Sequence, residues 1–222
     1  MKPVAVAIMA KAPQAGEVKT RLCPPLSLVD AAELYRRFLL DKIEQVTALK
    51  AVSLAVAYTP AEAKAFFEEV APGFFLVPQR GADLGDRLAN SLSELLARGH
   101  GGAVAIDSDT PTLPVGFLQQ AVDLVTTSDF DVVLGPTQDG GYYLIGLRAM
   151  HPALFEAMAW STSAVLSETV RRADAKGLRV ACLPPWYDID TPEDLGRLRT
   201  ELAAPGSNAA RHTRAFLLER TG

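Results

Sequence analysis

The sequence predicts an α/β fold: a mostly parallel sheet with one antiparallel strand and helices on both faces. Three observations predict it. Short apolar runs at residues 4–9 and 103–106 have the length and composition of strands buried on both faces. They alternate with longer segments whose apolar residues recur at helical spacing, the pattern of crossover-linked parallel strands. Late in the chain the turn residues Gln138-Asp139-Gly140-Gly141 join two strand-like runs directly, so one strand must run against the others.

Residues 4–9 form the first strand, ended by Lys11 and Pro13; the apolar run stops too early for a signal peptide. A loop rich in proline, glycine and basic residues follows at 11–27. Leu28, Ala31, Leu34, Tyr35, Phe38 and Leu39 then share one helical face behind Ser27, a residue suited to cap it. Residues 52–58 read as the second strand, and Thr59-Pro60 opens a second helix with proline at its first position. The third strand is expected at 74–77. Asp83 or Gly85 starts a third helix that runs to about Arg98, where Gly99 ends it. The fourth strand, 103–106, runs straight into Asp107-Ser108-Asp109. A helix over about 115–127, a strand at 131–134, the tight turn and a strand at 142–147 come next. Two helical segments flank Trp160, residues 178–183 are the last strand, and Thr191-Pro192-Glu193-Asp194 opens the final core helix.

The 222 residues suit one large domain over 1–203. Beyond Ala203 the composition shifts to proline, glycine, serine and asparagine, so 204–222 reads as a linker and a short amphipathic tail at 209–220. Phe216, Leu217 and Leu218 there suit packing on the domain or on a second copy of the chain in a homodimer. A net charge of −4 and a pI near 5.4 argue against a nucleic-acid partner, while one basic loop can still hold a small anion. Cys23 and Cys182 lie far apart, which excludes a disulfide scaffold and fits a reducing, cytoplasmic setting. No apolar run approaches the roughly 18 residues a bilayer crossing needs, so no membrane partner is expected. His100, His151 and His212 lack the spacing of a zinc site, and no G-x-S-x-G elbow is present.

In such sheets ligands bind beyond the carboxyl ends of the strands, which selects four loops. The first carries Lys11, Lys19 and Arg21 beside Gly16, a set that suits nucleotide phosphates or a plain solvated basic loop. It is neither a dinucleotide fingerprint nor a Walker loop. The second holds Asp107 and Asp109, two carboxylates at the end of an apolar strand, where Mg²⁺ or Mn²⁺ bridging a diphosphate would neutralise them. Aspartate, serine and threonine also cap and turn chains, which is the plainer reading. The third holds Asp139, Gly140 and Gly141: the glycines admit close backbone approach by a nucleotide, Asp139 suits a metal, a sugar hydroxyl or an acceptor, and a simple hairpin turn uses the same residues. In the fourth, helix capping accounts for Thr191 and Asp194 but not for Asp188 and Asp190, which flank Ile189 and suit a second pair of metal carboxylates. Arg87, at the start of the third helix, can reach the same edge or lie on the surface.

Several stretches together resemble a known family. They are Met9-Ala10-Lys11-Ala12-Pro13 with Gly16 to Leu22, Gly81 to Leu88, Asp109-Thr110-Pro111 with Leu113, Gly135 to Gly146, and Asp188 to Leu195. Over roughly residues 1–200 the chain is similar to the bacterial GT-A-fold radical-SAM/selenodomain-associated transferases, often labelled glycosyltransferases. More distantly it resembles the nucleotidyltransferases that make molybdopterin and phospholactate conjugates. The resemblance implies a nucleotide-diphospho-sugar transferase fold, with Lys11, Lys19 and Arg21 near the nucleotide phosphates and Asp109 with Asp188 or Asp190 on Mg²⁺ or Mn²⁺. Ala15 stands where that family usually has a second proline. The position of Asp107 is often glycine there, so the ligand role carries to Asp109 ahead of Asp107.

The reading that follows is a metal-dependent transferase using a nucleotide-diphospho-sugar donor and a small-molecule acceptor. Asp109, Asp139 and Lys19 are its candidate catalytic residues, with Asp139 positioning or deprotonating the acceptor. The alternative is a nucleotidyltransferase that joins a nucleoside triphosphate to a phosphorylated small molecule and releases pyrophosphate. A third reading is a nucleotide-binding protein without catalysis, since fold does not fix function.

Overall fold

The computed structural model describes residues 2–127, 129–204 and 208–219. The linker residues 205–207 and the tail's Arg220 lie outside the described residues. Seven strands form one sheet: β1 (Val4–Lys11), β2 (Val52–Thr59), β3 (Phe75–Pro78), β4 (Gly102–Ile106), β5 (Val132–Pro136), β6 (Tyr142–Leu147) and β7 (Val180–Cys182). Their spatial order is β3-β2-β1-β4-β6-β5-β7. Every neighbouring pair is parallel except those made by β6, which runs antiparallel to both β4 and β5. The one reversed strand expected from the Asp139-Gly140 turn is therefore β6, inserted between two parallel strands.

Alternation along β1 explains both layers. Val4, Val6 and Ile8 face α1 (Leu28–Thr47), α2 (Lys64–Val70) and α4 (Val115–Thr126), while Ala5 and Ala7 face α3 (Leu84–Ala97) and α5 (Val165–Ala175). A third cluster lies outside the sheet. There Leu34, Tyr35 and Phe38 of α1 meet Leu195, Leu198 and Leu202 of α6 (Pro192–Ala203) and Phe216 and Leu217 of α7 (Arg211–Leu218). Helix α1 is thus apolar on two faces and wedged between sheet and tail.

Several element boundaries differ from the sequence reading. Only one helix, α5, adjoins Trp160; a single 3-10 turn at Pro152–Leu154 replaces the other, and the irregular chain after it hangs on Arg172, which donates to the carbonyls of Ala153, Glu156 and Ala157. Pro60 precedes a 3-10 turn at Ala61–Ala63, so α2 starts only at Lys64. The last strand is shorter than 178–183, because pairing with β5 is confined to Val180–Cys182. No helix among the described residues is long and apolar enough to cross a membrane.

The tail docks through a buried carboxylate. Asp41 of α1 accepts the backbone N–H groups of His212 and Thr213, both at 2.9 Å, and the Thr213 hydroxyl at 2.6 Å. These satisfy the first-turn donors of α7, which has no side-chain cap of its own. Asp41→Ala is expected to lower stability by about 2 kcal/mol, the scale of hydrogen bonds to a charged acceptor. It should also raise hydrogen exchange across α7; unchanged protection there would show that apolar contacts alone hold the tail.

Candidate active site

The carboxyl ends of β1, β4, β5 and β7 and the start of β6 face one edge, and the four loops selected above meet there. The loop after β1 is anchored by the buried Val18 and Leu22. Between them Lys19 takes the left-handed conformation (φ 49°, ψ 33°), which costs a lysine about 1–2 kcal/mol. Its side chain is only 5% exposed, with Nζ 2.6 Å from Asp190 Oδ1 and 3.1 Å from Asp109 Oδ2. Burial alone would lower the Lys19 pKa, but the two carboxylates outweigh it and hold it above the ordinary lysine value. Asp190 is the mirror case: burial pushes it up, and Lys19 and Arg21 pull it below the usual carboxylate range. Arg21 is mostly exposed, with Nη1 3.8 Å from Asp190 Oδ2. Lys11 pairs at 2.7 Å with Glu17 of its own loop.

The loop after β4 is held from below. Lys42 of α1 is fully buried and donates to the Thr110 carbonyl at 2.9 Å and hydroxyl at 2.7 Å. The Thr110 hydroxyl in turn donates to Asp107 Oδ1 at 2.7 Å, 3.6 Å from the Lys42 ammonium. Burial lifts the Asp107 pKa to about 6, with Lys42 opposing and Asp109 adding to the rise. Tyr35 accepts the Lys11 N–H at 3.1 Å and donates to Ser108 at 2.8 Å, and Ser108 donates to the Met9 carbonyl at 3.0 Å. This chain ties the end of β1 to the acidic loop. Lys42, Tyr35 and Ser108 were missed as site residues in the sequence reading. Lys42 had a signal: it lies three and four residues beyond Leu39 and Phe38, a lysine on an apolar helical face.

Asp139 accepts the Thr137 hydroxyl at 2.5 Å and the Gly141 N–H at 3.0 Å, which fixes its carboxylate within the turn. Gly140 has φ 94°, and a Cβ there would stand 2.2 Å from the Ser163 carbonyl oxygen. Its N–H bonds to the Thr137 carbonyl. Gly141 lines the cleft and Gly140 does not, so Gly140 serves the turn and its close approach to the chain before α5. Asp188 and Asp190 flank Ile189, which is fully buried, so both are directed away from the core. The Ile189 N–H donates to the Asp109 carbonyl at 3.1 Å, and the Thr191–Asp194 capping box secures the chain beyond. Burial, then Asp190, Asp139 and Asp107, raise the Asp188 pKa to about 7. Among the described residues no side chain donates a hydrogen bond to the Asp188 carboxylate.

Two contiguous clefts result. One, of about 290 Å³, is lined by Asp107, Asp109, Asp139, Asp188 and Asp190 together with Leu84, Leu88, Tyr142, Trp160 and Val165. The other, of about 370 Å³, is lined by Lys11, Lys19, Arg21 and Arg87 and by Tyr35, Gln79 and Ser108. They share Met9, Arg21, Leu84, Asp109 and Asp190, so the Lys19 ion pairs lie at the border. Hard oxygen donors crowded about Asp188, which like Asp139 has no ion-pair partner among the described residues, fit Mg²⁺ or Mn²⁺. In this conformation Lys19, not a converged trio of carboxylates, stands between Asp109 and Asp190. The one trio of metal-type ligand atoms within 4.8 Å of one another among the described residues is Asp41, Glu44 and His212, at the α1–α7 junction. There Asp41 already holds the tail and Glu44 pairs with Arg211 at 2.7 Å.

The family described as "Uncharacterized protein conserved in bacteria (DUF2064)" matches residues 42–162, more than half of the chain, and the chain belongs to it. No curated protein sequence matches. A solved structure from Desulfovibrio desulfuricans G20, provisionally assigned as a nucleotide-diphospho-sugar transferase, is 32% identical, with a TM-score of 0.90 over 100% of this chain and 96% of that one. A cytidylyltransferase from Leptospira borgpetersenii serovar Hardjo-bovis (strain JB197) is 14% identical, with a TM-score of 0.60 over 100% and 96%. Glucosyl-3-phosphoglycerate synthase from Mycobacterium tuberculosis, solved with Mn²⁺, uridine diphosphate and glucosyl-3-phosphoglycerate, is 15% identical, with a TM-score of 0.53 over 99% and 80%. The last two share the fold alone, which is that of the GT-A-like nucleotidyl- and glycosyltransferases.

The raised Asp188 pKa has a stability consequence with a definite sign. A carboxyl whose folded pKa lies above its unfolded value supports folding fully below about pH 4 and loses that support as pH rises through about 7. Asp188→Asn is therefore expected to be more stable than the parent at pH 8, by about 2 kcal/mol after allowing for its partial exposure. The gap should close by pH 4 in urea titrations. A variant less stable at pH 8 would mean that Asp188 is not the repelled group described.

Proposed function

We propose that this member of the DUF2064 family is a metal-dependent transferase that takes a nucleotide-diphospho-sugar donor, of the radical-SAM/selenodomain-associated kind, in a cytoplasmic setting. The observation that carries the reading is the border between the clefts, where buried Lys19 lies between Asp109 and Asp190. A donor diphosphate suits the basic side, facing Lys11, Lys19, Arg21 and Arg87, which leaves its sugar toward the acidic side. Asp109 with Asp188 or Asp190, and Asp107 behind them, would hold Mg²⁺ or Mn²⁺. When bound, the ion would supply charge neutralisation for the diphosphate.

The chain's own groups divide the remaining work. Asp139, fixed by Thr137 and Gly141, orients the acceptor and takes the proton from its attacking atom. That atom forms the new bond to the sugar's anomeric carbon. The bond from that carbon to the diphosphate oxygen breaks, and its electrons leave with the nucleoside diphosphate. Lys19 and Arg21 face the charge that develops there. Lys19 is favoured in its charged form while Asp109 and Asp190 face it.

One observation favours a second reading. Four cationic side chains on the basic side are more than a diphosphate requires and suit a triphosphate, as in a nucleotidyltransferase. Products separate the two. With a panel of nucleotide sugars and Mn²⁺, nucleoside diphosphate release is expected, at least about 100-fold slower in Asp109→Ala and in Asp139→Asn. Pyrophosphate release from nucleoside triphosphates would select the second reading. Nucleotide binding that survives Asp109→Ala without any turnover would overturn both.

A further inference from the structure

The two clefts differ in charge in a way that constrains the acceptor. Four cations line the basic side. On the acidic side five carboxylates line the cleft, and among the described residues Arg21 is its one cationic lining residue, already paired with Asp190. Lys19 offsets Asp109 and Asp190, and Lys42 stands behind Asp107. Among the described residues, Asp139 and Asp188 have no ion-pair partner. A divalent ion would not alter this balance greatly, because the donor's diphosphate brings about as much negative charge as the ion brings positive.

The rest of the lining is apolar. Leu84, on the first turn of α3, is 45% exposed and lines both clefts. Trp160 meets Tyr142 edge to face, and Gly85 lets α3 approach the indole, since a Cβ there would stand 2.5 Å from Trp160 Nε1. The Trp160 indole N–H is buried with no hydrogen-bond partner among the described residues.

We propose that the acceptor is a non-anionic molecule, an amine or an alcohol on an apolar ring or chain, and not a phosphorylated or carboxylated acid. Its ammonium or hydroxyl faces Asp139 and Asp188, and its apolar body lies against Leu84, Tyr142 and Trp160. An anionic acceptor would need a cationic anchor on this side, and Arg21, which also lines the basic side, serves the donor diphosphate in the reading above. The inference rests on the donor reading above, since it assigns the second substrate of that reaction.

A matched aromatic series tests it without turnover: tyramine, 2-(4-hydroxyphenyl)ethanol and 4-hydroxyphenylacetate, which differ in one terminal group. Ligand-observed NMR titrations on the full chain with Mg²⁺ and a nucleoside diphosphate are expected to show tyramine and the alcohol binding at least tenfold more tightly than the acid. Asp139→Asn and Asp188→Asn should each shrink the tyramine-to-acid ratio to less than threefold. Leu84→Ser, at an exposed position, should weaken tyramine and the alcohol alike by about tenfold. Equal or tighter binding of the acid, a ratio unchanged in both aspartate variants, or no binding by any of the three would overturn the proposal. Nucleotide-sugar binding measured on the same samples separates the two levels. Selectivity without nucleotide-sugar binding defeats the donor reading, and nucleotide-sugar binding without selectivity defeats only this one.

Discussion

Five carboxylates gathered at one sheet edge repel one another, and two buried lysines hold them there. Lys19 spans Asp109 and Asp190 from within a left-handed turn, and Lys42 reaches up from α1 to Thr110 and Asp107. Burying lysines is costly, and such pairs seldom repay their desolvation as stability. The raised pKa values of Asp107 and Asp188 mark first the cost of burying carboxylates there, to which repulsion from their acidic neighbours adds. An arrangement that costs the fold and concentrates negative charge in a cleft is what a cation-assisted site requires.

Helix α1 links the rim to the rest of the molecule. Its inner face packs on the sheet through Leu39 and Val46, and its outer face meets α6 and α7 through Leu34, Tyr35 and Phe38. Polar residues interrupt these faces where something must be held. Asp41 and Glu44 take the tail, while Lys42 and Gln45 take the loop after β4. Tyr35 joins β1 to Ser108. One helix therefore sets the height of the acidic loop and the position of the C-terminal segment.

Much of this was legible in the chain. The buried-strand runs, the helical spacing and the Asp139-Gly140 turn were enough for the sheet and its single reversed strand, because periodicity and turn chemistry are local properties. The loops at strand ends followed from topology, and Asp188 and Asp190 from flanking Ile189, whose burial sends both side chains the same way. What was not legible depends on contacts distant in sequence. The partnership of Lys19 with Asp190 spans 171 positions, and no spacing rule announces it. Lys42 could be noticed as a lysine on an apolar face, but not assigned to Thr110. Gly140 reads from the sequence as either a ligand-facing or a turn residue, and the nearness of Ser163, far off in sequence, is what favours the turn. The helix expected before Trp160 failed because Arg172 ties that segment down through carbonyls a helix would have used internally.

The most direct test is where a divalent ion binds. Mn²⁺ titrated into the full chain with a nucleoside diphosphate, followed by electron paramagnetic resonance, should show one bound ion per chain. Asp109→Ala should weaken it by about 100-fold, and Glu44→Ala, at the competing trio beside the tail, should leave it unchanged. Binding that survives Asp109→Ala but is lost in Glu44→Ala would place the ion at the α1–α7 junction and contradict an active site built around Lys19 and its carboxylates.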